Sequence, residues 1–402
     1  MRCTVFALVC MEFLFCSTPH AQEAMPLSIL PADVVELALT SGEATAKSLC
    51  DVDYGGTAMT RLRASKLARK IEGFNSRMDN EDKVAGATET RQLAGYFGQT
   101  SISAFVRQDQ KVKTELVRLL SSWARDGALL ASASCVKNGS LSGSTKCGEW
   151  RRKDGQDLSS MKDATFSTFL AVGIARSYLL TLRDHDREGL AAEHLAIENW
   201  IFSGVAKRLK KPSQVYFGLN IGWYWPTINI AAAQGRTEVA RKLTSRGLAG
   251  LTGLIAEDGS IKDRTTRGNR ALWYHYTSIG EIVMTMELAR ALQVPIPARL
   301  EGRLHKAVDL FVRAVDDHKA IDKWARGAHN SVYDGRQEFR TDWWNYDFAG
   351  TWLHVYPFRY PESPNAARFD NELVKAGESA TVDTDFGVGV GCLYDAAGSS
   401  RQ

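Results

Sequence analysis

Apolar residues recur at three-and-four spacing in one segment after another from about residue 56 onward, and no other feature constrains the fold as strongly. Met59 to Phe74, Lys111 to Ser132, Ser160 to Leu182 and Leu190 to Lys210 carry the pattern, as do Trp225 to Gln234, Glu238 to Leu251, Arg270 to Leu292 and Arg299 to Val315. That spacing gathers apolar side chains on one face of a helix. Alternating strand patterns are scarce, and Gly204, Gly218, Gly222, Gly235, Gly247, Gly253 and Gly259 punctuate the helices and turns. Many helices joined by short turns define an all-α protein: a bundle, a solenoid or an α/α toroid. The absence of a fixed repeat period speaks against the solenoid. A toroid needs a chain of about this size, but periodicity alone does not separate it from a bundle. Residues 137–157 are polar and rich in Gly and Ser, which predicts a surface insertion. The tail from Glu372, with Gly387, Gly389 and Gly391 among valines, reads as extended.

The 402 residues, 44% hydrophobic and 24% charged, have the balance of a soluble globular protein. A formal net charge of +4 is too small to argue for nucleic acid and is compatible with an acidic substrate. Arg2, the apolar run Cys3 to Phe15 and the small or turn-forming residues Ser17 to Ala21 read as an export signal spanning residues 1–21. A buried N-terminal helix is the alternative. Residues 22–402 then form a single domain. The leader's apolar run is too short to remain in a bilayer, and no later segment predicts membrane insertion.

Export changes the meaning of the cysteines. Of the seven, Cys50, Cys135, Cys147 and Cys392 lie beyond the leader, and an oxidising compartment permits two disulfides. Cys135 and Cys147 bracket a Gly/Ser/Lys-rich loop, and Cys50 with Cys392 would tie the two ends of the domain together. A zinc site finds little support, since no Cys-x-x-Cys spacing exists and no His lies close in sequence.

Four regions concentrate chemistry. Tyr216 to Trp225 interleaves aromatics with small residues and Asn220; Trp223 and Trp225 offer faces for the C–H surfaces of a sugar ring, and Asn220 can bond its oxygens. A buried aromatic cluster beside a tight turn explains the same residues. Asn269 to Tyr276 combines Arg270, Tyr274, His275 and Tyr276, a set suited to an acidic sugar. At about 100° per residue, Arg270, Tyr274 and Thr277 share one helix face, Tyr276 lies roughly 120° away and His275 is nearly opposite. A helix start with core aromatics is the competing account. Arg340 to Tyr346, with Trp343, Trp344 and Tyr346, and the later Trp352 to Tyr360, with Arg359, read as a cleft wall or as core. Lys207, Arg208, Lys210 and Lys211 form a solvated helix end or an electrostatic funnel. Phosphate-binding, His-Glu-x-x-His and Gly-x-Ser-x-Gly motifs are lacking. Asp342 and Asp347 are the best-placed acids for glycoside hydrolysis.

Several segments resemble, in the same order, the periplasmic alginate lyases of polysaccharide-lyase family 5. They are Trp123 to Leu130, Ile197 to Trp200, Asn220 to Trp225, Asp258-Gly259, Arg270 to His275 and Trp352-Leu353 with Tyr356 and Tyr360. The resemblance spans roughly residues 50 to 360. It implies an incomplete α/α toroid of antiparallel helix pairs, periplasmic location, no metal or other cofactor, and β-elimination on a uronate polymer. Asn220 matches an Asn that neutralises the uronate carboxylate, and Arg270 matches the Arg that does so; Tyr274 and His275 match as well. The family's second Asn, its His and its catalytic Tyr fall on Ile221, Gly222 and Thr277. A Thr hydroxyl is a far poorer proton carrier than a phenol.

Arg270 and His275 are expected as catalytic residues from the resemblance, and Tyr274, which shares the Arg270 face, and Tyr224, beside the aromatic platform, as displaced groups of which a tyrosine acts as base and acid. Asn220, Trp223, Trp225, Tyr276, Trp343, Trp344, Tyr346 and Arg359 are the expected substrate contacts. The expected partner is an acidic polysaccharide bound by a monomer. A non-catalytic polyuronate-binding protein and a glycoside hydrolase on a similar toroid are the alternatives.

Overall fold

The computed structural model describes residues 30–40, 50, 54–69, 85–131, 136–137, 140–141, 159–209, 224–327, 332–339, 350–369 and 390–399. Helices dominate: α1 (Ala32–Thr40), α2 (Tyr54–Ala64), α3 (Ala85–Val106), α4 (Gln110–Arg125), α5 (Ser159–Thr181), α6 (Ala191–Asn199) and α7 (Ala206–Leu209). There follow α8 (Tyr224–Ala233), α9 (Thr237–Leu254), α10 (Ala271–Ala291), α11 (Ala298–Asp316), α12 (Asp322–Ala325), α13 (Trp352–Arg359) and α14 (Gly391–Ser399). A π-helical segment, Trp200–Val205, joins α6 to α7. The two-residue strands Val136–Lys137 and Ser140–Leu141 pair antiparallel at the edge of the predicted insertion.

Short links make neighbouring helices antiparallel. Between α3 and α4 the chain turns through Arg107, Gln108 and Asp109, with Gln108 at φ 54°. The Asp109 carboxylate then caps α4 by accepting from the Val112 N–H at 3.0 Å. Successive helices pack in pairs (α2 on α3, α3 on α4, α8 on α9, α9 on α10, α10 on α11), and α14 packs on both α1 and α13. The result is the α/α toroid.

Helix α10 runs through the densest part of the core. Nearly all its side chains from Ala271 to Ala289 are buried; Trp273, Tyr274, Thr277 and Glu281 are the partly open ones in that span. It packs on α11 and α13, and Ile279, Ile282, Val283 and Met286 belong to one buried cluster with Leu304, Val308 and Phe311 of α11 and Trp352, Leu353 and Tyr356 of α13. Each such side chain contributes about 1.5–3 kcal/mol on burial. A helix apolar around most of its circumference belongs inside a domain. Its one open stripe is therefore a place where polar groups can meet a ligand.

Several sequence expectations change in detail. The helix expected to reach Phe74 ends at Ala64. Of the tail expected to be extended, residues 372–389 lie outside the described residues, and Gly391–Ser399 form α14, which Cys392 anchors by a disulfide to Cys50. Cys135 and Cys147 lie outside the described residues. So do residues 1–29, and with them the expected leader. No described helix is long and apolar enough to cross a membrane.

Candidate functional site

A tight turn leads towards α10. Ile255 and Ile261 form an antiparallel bridge around Glu257 to Ser260. The Asp258 carboxylate accepts from both the backbone N–H and the hydroxyl of Ser260. Gly259 adopts φ +85°, and a Cβ there would stand 2.2 Å from the Lys306 carbonyl oxygen. Only glycine satisfies both the left-handed backbone and that approach to α11. The turn is thus pressed against α11, and it delivers the chain to Arg264, Arg267 and Arg270.

His275 locks this turn to the helices. Its Nε2–H donates to the Ala307 carbonyl at 2.9 Å, so its Nδ1 accepts from the Thr265 hydroxyl at 3.0 Å. The Thr265 oxygen in turn accepts from the Ile261 N–H at 2.7 Å. The ring is fully buried, and burial drives its pKa from 6.5 down to about 4. His275, expected to act on substrate, has both nitrogens engaged inside the core, where the ring holds the turn, α10 and α11 in register. Tyr276, expected as a substrate contact, is buried as well. It is 1% exposed, and its ring packs against Phe311, Phe339 and Trp352.

Arg270 and Tyr274 lie on the other side of α10. Residues 332–339 strap the helix start. The Asn269 N–H donates to the Val332 carbonyl, and the Glu338 N–H to the Asn269 carbonyl. The Asn269 side-chain oxygen accepts from the Asp334 N–H. The Gln337 amide bridges the helix terminus: its oxygen accepts from the Leu272 N–H at 3.0 Å and its nitrogen donates to the Gly268 carbonyl at 3.1 Å. Gln337 thereby satisfies one of the donors that a helix start leaves open. On this support Arg270 Nε donates to a Glu338 carboxylate oxygen at 2.6 Å, with the two side chains 42% and 46% exposed.

The Tyr274 ring is surrounded by cations. The Arg264 guanidinium lies 5.5 Å from its centroid and that of Arg267 5.1 Å, while Trp273 meets it edge-on at 4.7 Å. Arg264 is 3% exposed. Such contacts hold charge and ring together. Arg264, Arg267 and Arg270 recur at three-residue spacing, a signal visible in the sequence. Gln337 and Glu338 carried no such signal, because they belong to a non-periodic segment. Thr277, on the same stripe as Tyr274, donates its hydroxyl to the Tyr274 carbonyl at 3.1 Å.

Arg359, expected as a substrate contact, is 10% exposed and held by two carboxylates. It donates to Glu287 of α10 from Nε and Nη2 at 2.7–3.1 Å, and to Asp33 of α1 from Nη1 at 2.8 Å. Glu287 is fully buried and also accepts from Arg290 at 2.6 Å and the Tyr394 hydroxyl at 2.7 Å. This network joins α1, α10, α13 and α14.

Asn220, Trp223, Trp343, Trp344 and Tyr346 lie outside the described residues, as do the side chains of Tyr224 and Trp225, whose backbone opens α8. Among the described residues, no three His, Cys, Asp or Glu side chains gather as a metal site requires.

Residues 222–321, which contain the turn, Arg270 and all of α10, match the family model described as alginate lyase. Three solved structures share the fold. Alginate lyase A1-III from Sphingomonas species A1 superposes with TM-score 0.52 at 16% identity, over 85% of this chain and 91% of that one. The apo form of a histidine-to-alanine variant of that enzyme gives 0.53 at 18%, over 92% and 97%. The same variant complexed with a tetrasaccharide gives 0.51 at 17%, over 86% and 90%. No curated protein sequence matches significantly. Fold and segment together define an alginate-lyase-like α/α toroid, at low sequence identity to the enzymes of known structure.

Proposed function

We propose that this chain is a polysaccharide lyase that cleaves a uronate polymer by β-elimination. The alginate lyase match over residues 222–321 and the toroid support that class. The observation that carries it to particular residues is Arg270, half-exposed on the one open stripe of α10 and already engaging a carboxylate. Arg270, with Asn220, would take up the uronate carboxylate and so acidify the C5 proton. A base removes that proton, the C–H electrons form the C4–C5 double bond, the C4–O bond breaks, and the leaving oxygen takes a proton from an acid. Fixed cations at the developing negative charge supply most of the acceleration, and proton transfer adds to it. Tyr274 and Tyr224 are the proposed proton carriers, because Thr277 stands where the family has its tyrosine. Action in the periplasm fits the leader-like residues 1–21 and the Cys50–Cys392 disulfide.

Thr277 and Gly222 also favour a second reading, a polyuronate-binding protein without cleavage. One assay separates the two. The purified chain is incubated with polymannuronate and other polyuronates, and unsaturated uronate is followed by ultraviolet absorbance. The lyase reading expects absorbance to rise, and Arg270→Ala to lower the rate at least about 100-fold without loss of the fold. Salt-sensitive retention on polyuronate without absorbance supports the binder. Reducing ends without absorbance identify a hydrolase.

A further inference from the structure

We propose that Glu338 is a resident competitor for the carboxylate site of Arg270, and so sets how strongly the site discriminates for an acidic chain. The proposal rests on the assignment of Arg270 as the carboxylate-binding residue. A guanidinium presents its N–H donors in a fixed planar fork that fits a carboxylate. In this structure the Nε edge of Arg270 already holds one, the side chain of Glu338, at 2.6 Å. That carboxylate is placed there deliberately by the backbone. The Glu338 N–H is bonded to the Asn269 carbonyl at 2.6 Å, and Gln337 beside it clasps Gly268 and Leu272. The anion is therefore delivered on a short tether from the same turn that carries the cation.

The strength of the pair suits displacement. Both side chains are close to half exposed, and ion pairs of this kind are weak because water and salt screen them. By contrast, Arg359 is buried between Glu287 and Asp33 and is not available for exchange. An incoming uronate carboxylate either takes the edge held by Glu338 or approaches another part of the guanidinium within repulsion range of it. Both routes give the same sign: the fixed negative charge opposes acidic ligands and leaves neutral sugars unaffected. A single uronate gains one contact against this opposition. A chain of uronates brings further contacts with the same approach and so binds in spite of an opposition that a single uronate does not overcome.

The test uses the full chain, Glu338→Gln and Glu338→Ala, with a mannuronate tetramer and a neutral glucose tetramer as probes. Glu338→Gln keeps the size and the backbone bond to Asn269 while removing the charge. We expect the uronate tetramer to bind about fivefold more tightly to both variants at low salt. The gain shrinks as salt is raised, is absent for the neutral tetramer, and disappears when Arg270→Gln is added. Equal or weaker binding of the uronate tetramer by both folded variants overturns the proposal and makes Glu338 a support for Arg270. A second measurement stands apart from the polymer. In isotope-labelled protein, the Arg270 Nε–H resonance should respond to free glucuronate at lower concentration in Glu338→Gln than in the parent. That response without polyuronate binding or cleavage supports the competitor while refuting the lyase assignment. An identical response in parent and variant refutes the competitor.

Discussion

The imidazole of His275 donates from Nε2 to the carbonyl of Ala307 at 2.9 Å, deep in the core, and its other nitrogen accepts from Thr265. A histidine in a stretch that otherwise looks catalytic thus serves to fix the turn from which Arg264, Arg267 and Arg270 are presented. His275→Ala leaves the Ala307 carbonyl and the Thr265 hydroxyl without that partner and opens a void. We expect a loss of about 3 kcal/mol in denaturant titrations, with the activity per folded molecule largely kept. Abolished activity in a fully folded variant would return His275 to the chemistry.

The same ring makes stability depend on pH. Folding depresses its pKa from 6.5 to about 4, so the unfolded chain takes up the proton first. The contribution is complete above pH 6.5 and falls as pH drops towards 4, by at most about 3 kcal/mol. Unfolding free energies measured across that window should decline more steeply in the parent than in His275→Gln. Equal slopes would show that the ring is not the group responsible.

Gln337 caps α10 from 65 residues away in sequence. Gln337→Ala should cost about 1 kcal/mol and speed hydrogen exchange at the Leu272 amide. Because Glu338 is carried on the same strap, the Arg270–Glu338 pair should loosen too. An unchanged Leu272 exchange rate would show that water replaces the side chain without penalty.

Arg359 and Glu287 give another large expected effect. Arg359→Ala takes one of two cations from a fully buried carboxylate, leaving it Arg290 and the Tyr394 hydroxyl, and should destabilise by about 3 kcal/mol. Replacing both residues, Arg359→Met with Glu287→Leu, should recover much of that loss, since it removes the charge along with its partner. Thermal melts of the three proteins decide this. A double variant no better than Arg359→Ala would mean that Asp33, Arg290 and Tyr394 depend on the pair more than its burial indicates.

The helical periodicity was legible because burial on one face imposes it, and eight expected segments correspond to helices of the structure. The wheel also separated Arg270, Tyr274 and Thr277 from His275 and Tyr276, and the structure divides them the same way, half-open against buried. His275 and Tyr276, expected at the substrate by residue type, fall on the buried side of that division. The ion pairs of Arg359 could not be read from the sequence, because its partners Glu287 and Asp33 lie 72 and 326 positions away. A charge shows its role only when the counter-charge is known. Glu338 was missed for the same reason. The pairing of Cys50 with Cys392 was readable only as one of several combinations, and the fold selects it.

That crosslink has a consequence for biogenesis. It spans 342 positions, linking the segment just after α1 to α14. No nascent or truncated chain that lacks α14 can form it. Oxidation is therefore available only once Cys50 and α14 have found each other, which folding of the segment between them alone does not ensure.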